Sequence, residues 1–137
     1  MLDCLILGDS IAVGVDASMN KNCYMYAKPG INSWQFNQMY VKDRKNDFGA
    51  EVVIISLGSN DHPGVKTYNE LYKMRERIKA QRVYWVLPNP EKFPKQADDV
   101  NLISASFGDF VLRTHRYQTD RVHPSWAGYK ELADEAK

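Results

Sequence analysis

The feature that most constrains this chain is a short run of apolar residues that returns five times between stretches of helical spacing. Leu2 to Leu7 is broken only by Asp3 and ends in Gly8. Cys23 to Ala27, Val52 to Leu57, Val83 to Leu87 and Phe107 to Leu112 follow, each closed by Gly, Pro or polar residues. Runs of this length suit strands buried on both faces. Between them Tyr68, Leu71, Met74 and Ile78 fall at steps of three and four, which puts them on one face of a helix. Trp126, Tyr129, Leu132, Ala133 and Ala136 draw the same stripe near the end of the chain. Ile31 to Lys45 and Asp98 to Ala105 are less regular but occupy the helix positions of the same alternation.

Strands that alternate with helices predict a parallel sheet covered on both faces, because each crossover is right-handed and returns the chain to the same edge. Five strands suit a flavodoxin-like order, 2-1-3-4-5, inside a three-layer α/β/α sandwich. With 137 residues, 44% of them hydrophobic and 26% charged, the chain has enough apolar side chains for one domain spanning 1–137 with a real core. No repeat or linker interrupts it, and Pro88 to Pro94 reads as one long loop. In open parallel sheets ligands bind beyond the carboxyl ends of the strands, near the switch between the first and third. Chemistry is therefore to be sought on that rim.

Charge narrows the partners. Eighteen Lys and Arg stand against seventeen Asp and Glu, a net charge of +1, which gives no strong field for nucleic acid or an anionic membrane. A neutral substrate is the expectation. Lys42 to Lys45 and Met74 to Arg82 are locally basic and read as solvated helix faces. Cys4 and Cys23 have no CxxC spacing and are too few for a zinc site or a disulfide framework, so they read as small core residues. No leader and no membrane-length apolar run is visible, so the cytoplasm is the default compartment.

Four polar segments follow the predicted strands: Gly8-Asp9-Ser10, Pro29-Gly30, Gly58-Ser59-Asn60-Asp61 and Asp120-Arg121-Val122-His123-Pro124. A serine hydroxyl becomes a useful nucleophile only when a base removes its proton and a third group orients that base. Ser10 stands where a strand gives way to a helix, so its amide belongs to an electropositive helix start. His123 is the candidate base, with Asp120 three residues earlier to meet the imidazole. Pro124 and Ser125 are good helix starters that would fix both at the entrance to the last helix. The amides of Ser10 and Gly30 and the side chain of Asn60 are candidate donors to an oxyanion.

These segments resemble the sequence blocks of the SGNH or GDSL hydrolases. Gly8-Asp9-Ser10 resembles the first block, Gly30 the second, Gly58-Ser59-Asn60-Asp61 the GxND third and Asp120 to Pro124 the DxxHP last. Ile11 replaces the leucine of GDSL, an apolar change that touches no reacting atom. The resemblance implies the same flavodoxin-like fold and a serine esterase. Ser10, His123 and Asp120 would form its triad, Ser10, Gly30 and Asn60 its oxyanion hole, and no metal or organic cofactor would take part. The shortness of the chain implies a small, open site suited to short acyl groups.

Other readings remain for the same residues. Ser10 alone could cap a helix, and two histidines are rival bases: His62, which directly follows Asn60-Asp61 and could line the site, and His115, near the end of the fifth strand, which lacks an Asp at matching spacing. Asp9 and Asp61 read as turn organisers. A binding or signalling module could instead use them to hold Mg²⁺, but no Gly-Lys-Ser or Gly-Lys-Thr phosphate cradle accompanies them. An acyltransferase would carry the same triad.

Overall fold

The computed structural model describes residues 2–136. Its strands are β1 (Leu2–Gly8), β2 (Tyr24–Ala27), β3 (Gly49–Ser56), β4 (Lys79–Val86) and β5 (Phe110–Leu112). The helices are α1 (Ser10–Ser18), α2 (Ser33–Phe36), α3 (Thr67–Glu76), α4 (Pro94–Phe107) and α5 (Trp126–Glu135), with a wider π turn at Asn37–Val41 continuing α2. All neighbouring strands are parallel, in the order 2-1-3-4-5. The architecture is the expected three-layer α/β/α sandwich.

Alternate side chains of each strand enter alternate layers. Leu5, Leu7, Val53, Ile55, Val83 and Trp85 pack with α2, α3 and α4 through Phe36, Leu71, Met74, Val100 and Ile103. Cys4, Ile6, Val52, Ile54, Tyr84 and Val86 pack on the other face with α1 and α5 through Ile11, Val15 and Leu132. The central strands are therefore buried on both sides, which is why their sequences read as continuous apolar runs.

Several expectations are corrected in detail. β3 and β4 begin earlier than their apolar runs, because the polar stretches Gly49–Glu51 and Lys79–Arg82 pair at the lower end of the sheet. Phe107 belongs to α4, which Gly108 ends in the left-handed conformation at φ 71°, so β5 is short. The basic stretch 42–45 lies in a turn, and 74–82 runs from α3 into β4. Trp126 leaves the apolar stripe of α5 and is 77% exposed.

The cysteines are also corrected. Cys4 and Cys23 form a disulfide with Cα atoms 4.6 Å apart. Leu5 is the register partner of Tyr24, so the residues just before them face one another across β1 and the start of β2. Parallel pairing sets this proximity, and cysteine spacing alone did not reveal it.

Candidate active site

Two loops at the carboxyl ends of the strands, after β1 and after β5, bring Ser10, His123 and Asp120 together. Ser10 Oγ lies 2.7 Å from His123 Nε2, a contact between residues 113 apart in sequence. The other ring nitrogen, Nδ1, lies 2.7 Å from Asp120 Oδ2. Asp120 Oδ1 accepts from the amides of Val122 at 2.9 Å and His123 at 3.0 Å. The carboxylate is thus aimed by its own loop. These contacts, led by the His123 side chain, hold the Asp120 carboxyl down at a pKa of about 2.

Each member is placed by local structure. Gly8 ends β1 at φ 143°, and a Cβ there would stand 1.9 Å from the Ser56 carbonyl oxygen, so only glycine lets β1 and β3 close up before the turn. Asp9 caps α1 through Oδ1, which accepts from the amides of Ile11 and Ala12 at 3.0 and 3.4 Å and from the Ser56 hydroxyl at 3.0 Å. Its Oδ2 is buried without a partner. Burial raises its pKa to about 6, against the lowering effect of those bonds. The next residue, Ser10, opens the first turn of α1, where helical N–H groups lack internal acceptors.

The loop that carries His123 is clamped from outside. Gln118 N–H donates to the His123 carbonyl at 2.8 Å, and Ser125 caps α5 through the Gly128 amide at 3.1 Å. Arg121 holds a left-handed backbone at φ 59°, which is costly for a residue with a Cβ. Asn89, buried in the β4–α4 loop, donates to the Arg121 carbonyl at 2.7 Å, and Lys92 Nζ donates to the Asp120 carbonyl at 3.0 Å. Arg121 itself pairs with Glu91. Sequence reasoning read this stretch only as a loop and missed Asn89, Glu91 and Lys92. The Asn between two prolines was the available signal.

The candidate oxyanion donors besides the Ser10 amide come from the loops after β2 and β3. Asn60 Nδ2 donates to the Ile31 carbonyl at 3.1 Å, which fixes the amide and leaves its second N–H free for another acceptor. Gly30 has φ 81° and open space where a Cβ would stand. Asp61 ties these loops together, accepting from the Ser33 amide at 2.8 Å and the Thr67 hydroxyl at 2.7 Å.

His62 Nδ1 accepts from the Gly64 amide at 3.0 Å, and His115 lines a cavity with Leu87, Pro90 and Tyr117. Asp9 and Asp61 spend their bonding on amides and hydroxyls, as organisers of their turns. Among the described residues no group of three or more His, Cys, Asp and Glu side chains is placed to hold a metal ion. Nor is any described helix long and apolar enough to cross a membrane.

No family model matches the sequence, and no curated protein does. Solved structures do share the fold. A member of the lipolytic protein G-D-S-L family from Veillonella parvula aligns over 99% of this chain and 96% of its own, at 16% identity and a TM-score of 0.69. A GDSL-like lipase from Bacteroides thetaiotaomicron aligns over 98% of this chain and 86% of its own, at 17% identity and a TM-score of 0.71. The catalytic domain of peptidoglycan O-acetyltransferase A from Streptococcus pneumoniae covers 97% of this chain and 89% of its own, at 17% identity and 0.63. The fold is that of the GDSL and SGNH hydrolases.

Proposed function

We propose that the protein is a serine ester hydrolase of the SGNH type, acting on short acyl esters such as acetate carried on a carbohydrate. The observation that carries this reading is the hydrogen-bonded chain from Ser10 Oγ through His123 to Asp120, each link 2.7 Å long. His123 Nε2 takes the Ser10 proton as Oγ attacks the ester carbonyl. Asp120 holds the imidazole in the tautomer that can accept that proton and stabilises the imidazolium that results. The negative oxygen of the tetrahedral intermediate is received by the amides of Ser10 and Gly30 and the free N–H of Asn60. His123 then returns the proton to the departing alcohol. Water, deprotonated by the same nitrogen, attacks the acyl-serine, and the acid leaves with Ser10 protonated again.

Short acyl groups are favoured by the space beside Gly30. A cleft of about 230 Å³ there is lined by Pro29, Ile31, Gln35 and Met39, too little apolar wall for a long chain. Trp34 and Trp126, 51% and 77% exposed, are flat faces open to a sugar ring. A steady rise in kcat/KM from acetate to decanoate esters would overturn this part of the reading.

The decisive experiment is intact-mass analysis after a fluorophosphonate probe, with the adduct mapped by peptide sequencing to Ser10. Ser10→Ala and His123→Ala are each expected to lower kcat by about a millionfold, and Asn60→Ala by about a hundredfold. Ordinary esterase activity in Ser10→Ala would refute the nucleophile. The likeness to an O-acetyltransferase domain supports a second reading, in which a sugar alcohol replaces water in the last step. Product partition with and without that acceptor separates the two.

A further inference from the structure

The two basic stretches that the sequence assigned to solvated helix faces meet in one cleft. Lys42 and Arg44, in the turn after the π segment, share a cavity of about 480 Å³ with Lys73 and Arg77 at the end of α3. The carboxylates in its wall are Glu70 and Glu76, so cations outnumber them two to one.

Two of the carboxylates nearby, Glu70 and Asp43, are committed. Glu70 is buried, its Oε1 accepting from Asn37 Nδ2 at 2.8 Å, and its Oε2 lies 3.8 Å from Lys73. Asp43, between the two turn cations, accepts the Lys45 amide at 3.0 Å. Arg77 is held rigid, donating to the carbonyls of Val41 at 2.6 Å and Asn46 at 3.0 Å and lying over the Phe48 ring. Lys42 and Arg44 are exposed and have no ion pair among the described residues.

Glu70 also walls a second cleft of about 290 Å³, lined by Asn32, Trp34, His62 and Lys66. That cleft adjoins the candidate oxyanion side, because Asn32 follows Ile31, whose carbonyl accepts from Asn60. His62 spends Nδ1 on the Gly64 amide, which leaves Nε2 to donate. Glu70 lines both clefts, which therefore follow one another along α3, between it and α2 with its π turn. From Lys66 to Arg77 the helical rise gives a length of about 16 Å.

We propose that these two clefts act as one groove that binds the leaving-group side of the substrate, and that this side is an acidic carbohydrate chain. Sugar rings lie against Trp34, and carboxylates are met by Lys42, Arg44, Lys73 and Arg77. Whole-chain charge predicts a neutral substrate, but a net charge of +1 conceals a local excess gathered by folding. A narrow polar groove with one aromatic face suits a single extended hydroxylated chain better than a lipid, which needs apolar walls. The proposal rests on the esterase reading for the reaction at Ser10, though not for binding.

The test uses Ser10→Ala protein titrated calorimetrically with an oligogalacturonate, a neutral xylo-oligosaccharide and a thymidine oligonucleotide. The oligogalacturonate is expected to bind best, more weakly as salt rises. In the K42E/R44E background its affinity should fall about tenfold, with K42A/R44A giving a smaller loss in the same direction. Absent binding, binding indifferent to both variants, or tighter binding of the oligonucleotide would overturn the proposal.

A second arm follows acetate release. K42E/R44E should raise KM for acetylated polygalacturonate and leave p-nitrophenyl acetate turnover unchanged. Binding of the acidic chain without hydrolysis of either ester would refute the reading of Ser10 and keep the groove. Hydrolysis of p-nitrophenyl acetate with no response to the acidic chain would do the reverse.

Discussion

Asp9 sits one residue before the candidate nucleophile, and its carboxyl is caught between two demands. As a cap it is held by two amides and the Ser56 hydroxyl, yet one oxygen is buried without a partner. Burial raises its pKa from 3.8 to about 6. A group whose folded pKa is raised contributes fully to stability below about pH 4, and that contribution is lost as pH rises through about 6. The shift corresponds to about 3 kcal/mol. Asn caps helices as well as Asp does, so Asp9→Asn should gain on wild type by about that amount between pH 3 and pH 7. Urea denaturation of both proteins across that range checks it, and parallel curves would show that the carboxyl titrates normally. Asp120 behaves oppositely. With its pKa near 2 it stays ionised throughout that range, so any acid limb of activity above pH 3 comes from another group. The residues of the Gly-Asp-Ser, Gly-Ser-Asn-Asp and Asp-Arg-Val-His-Pro segments were legible because their types carry a chemical job. The orphaned oxygen of Asp9 was not, since it depends on how tightly β1 and β3 approach.

At the scale of elements, apolar runs located all five strands, while their lower ends escaped notice. Lys79 to Arg82 pairs with β3 through backbone groups, and backbone bonding leaves no pattern in side-chain polarity. The irregular stretch after Ile31 has a physical cause in the π turn at Asn37–Val41, which shifts the helical spacing partway along. The clamp between the β4–α4 loop and the His123 loop was equally invisible, being a contact between segments 32 residues apart. Asn89→Ala would leave the Arg121 carbonyl unpaired, at about 1–3 kcal/mol, and release a strained residue two positions before the base. Turnover should fall about tenfold or more with the fold retained. Steady-state kinetics beside a melting curve checks this, and unchanged kcat would show that the loop holds its shape alone.

Over the whole molecule, sheet order and layer arrangement were readable because alternation and right-handed crossovers leave few topologies. The cross-link between Cys4 and Cys23 was not, because it depends on register. It closes a loop of 19 residues, for which the chain-entropy account gives about 3 kcal/mol. Reductant should lower the urea midpoint accordingly. Four residue steps along β1, about 13 Å, separate Cys4 from the rim at Gly8, so the rate of fluorophosphonate labelling of folded protein should not change. A slowed rate would mean that the bond shapes the site as well as the fold. Such bonds persist where thiols are oxidised, and the cytoplasmic expectation has no support from this feature.

The docking of α5 beside α1 has a thermal consequence. The hydroxyl and its base belong to opposite ends of the chain, and the base stands at the threshold of the final helix. Peeling that helix away would leave an intact sheet bearing an ordinary alcohol. Loss of activity on warming should therefore track the parting of α5 from α1, whether or not the sheet has opened, and reverse when that contact re-forms.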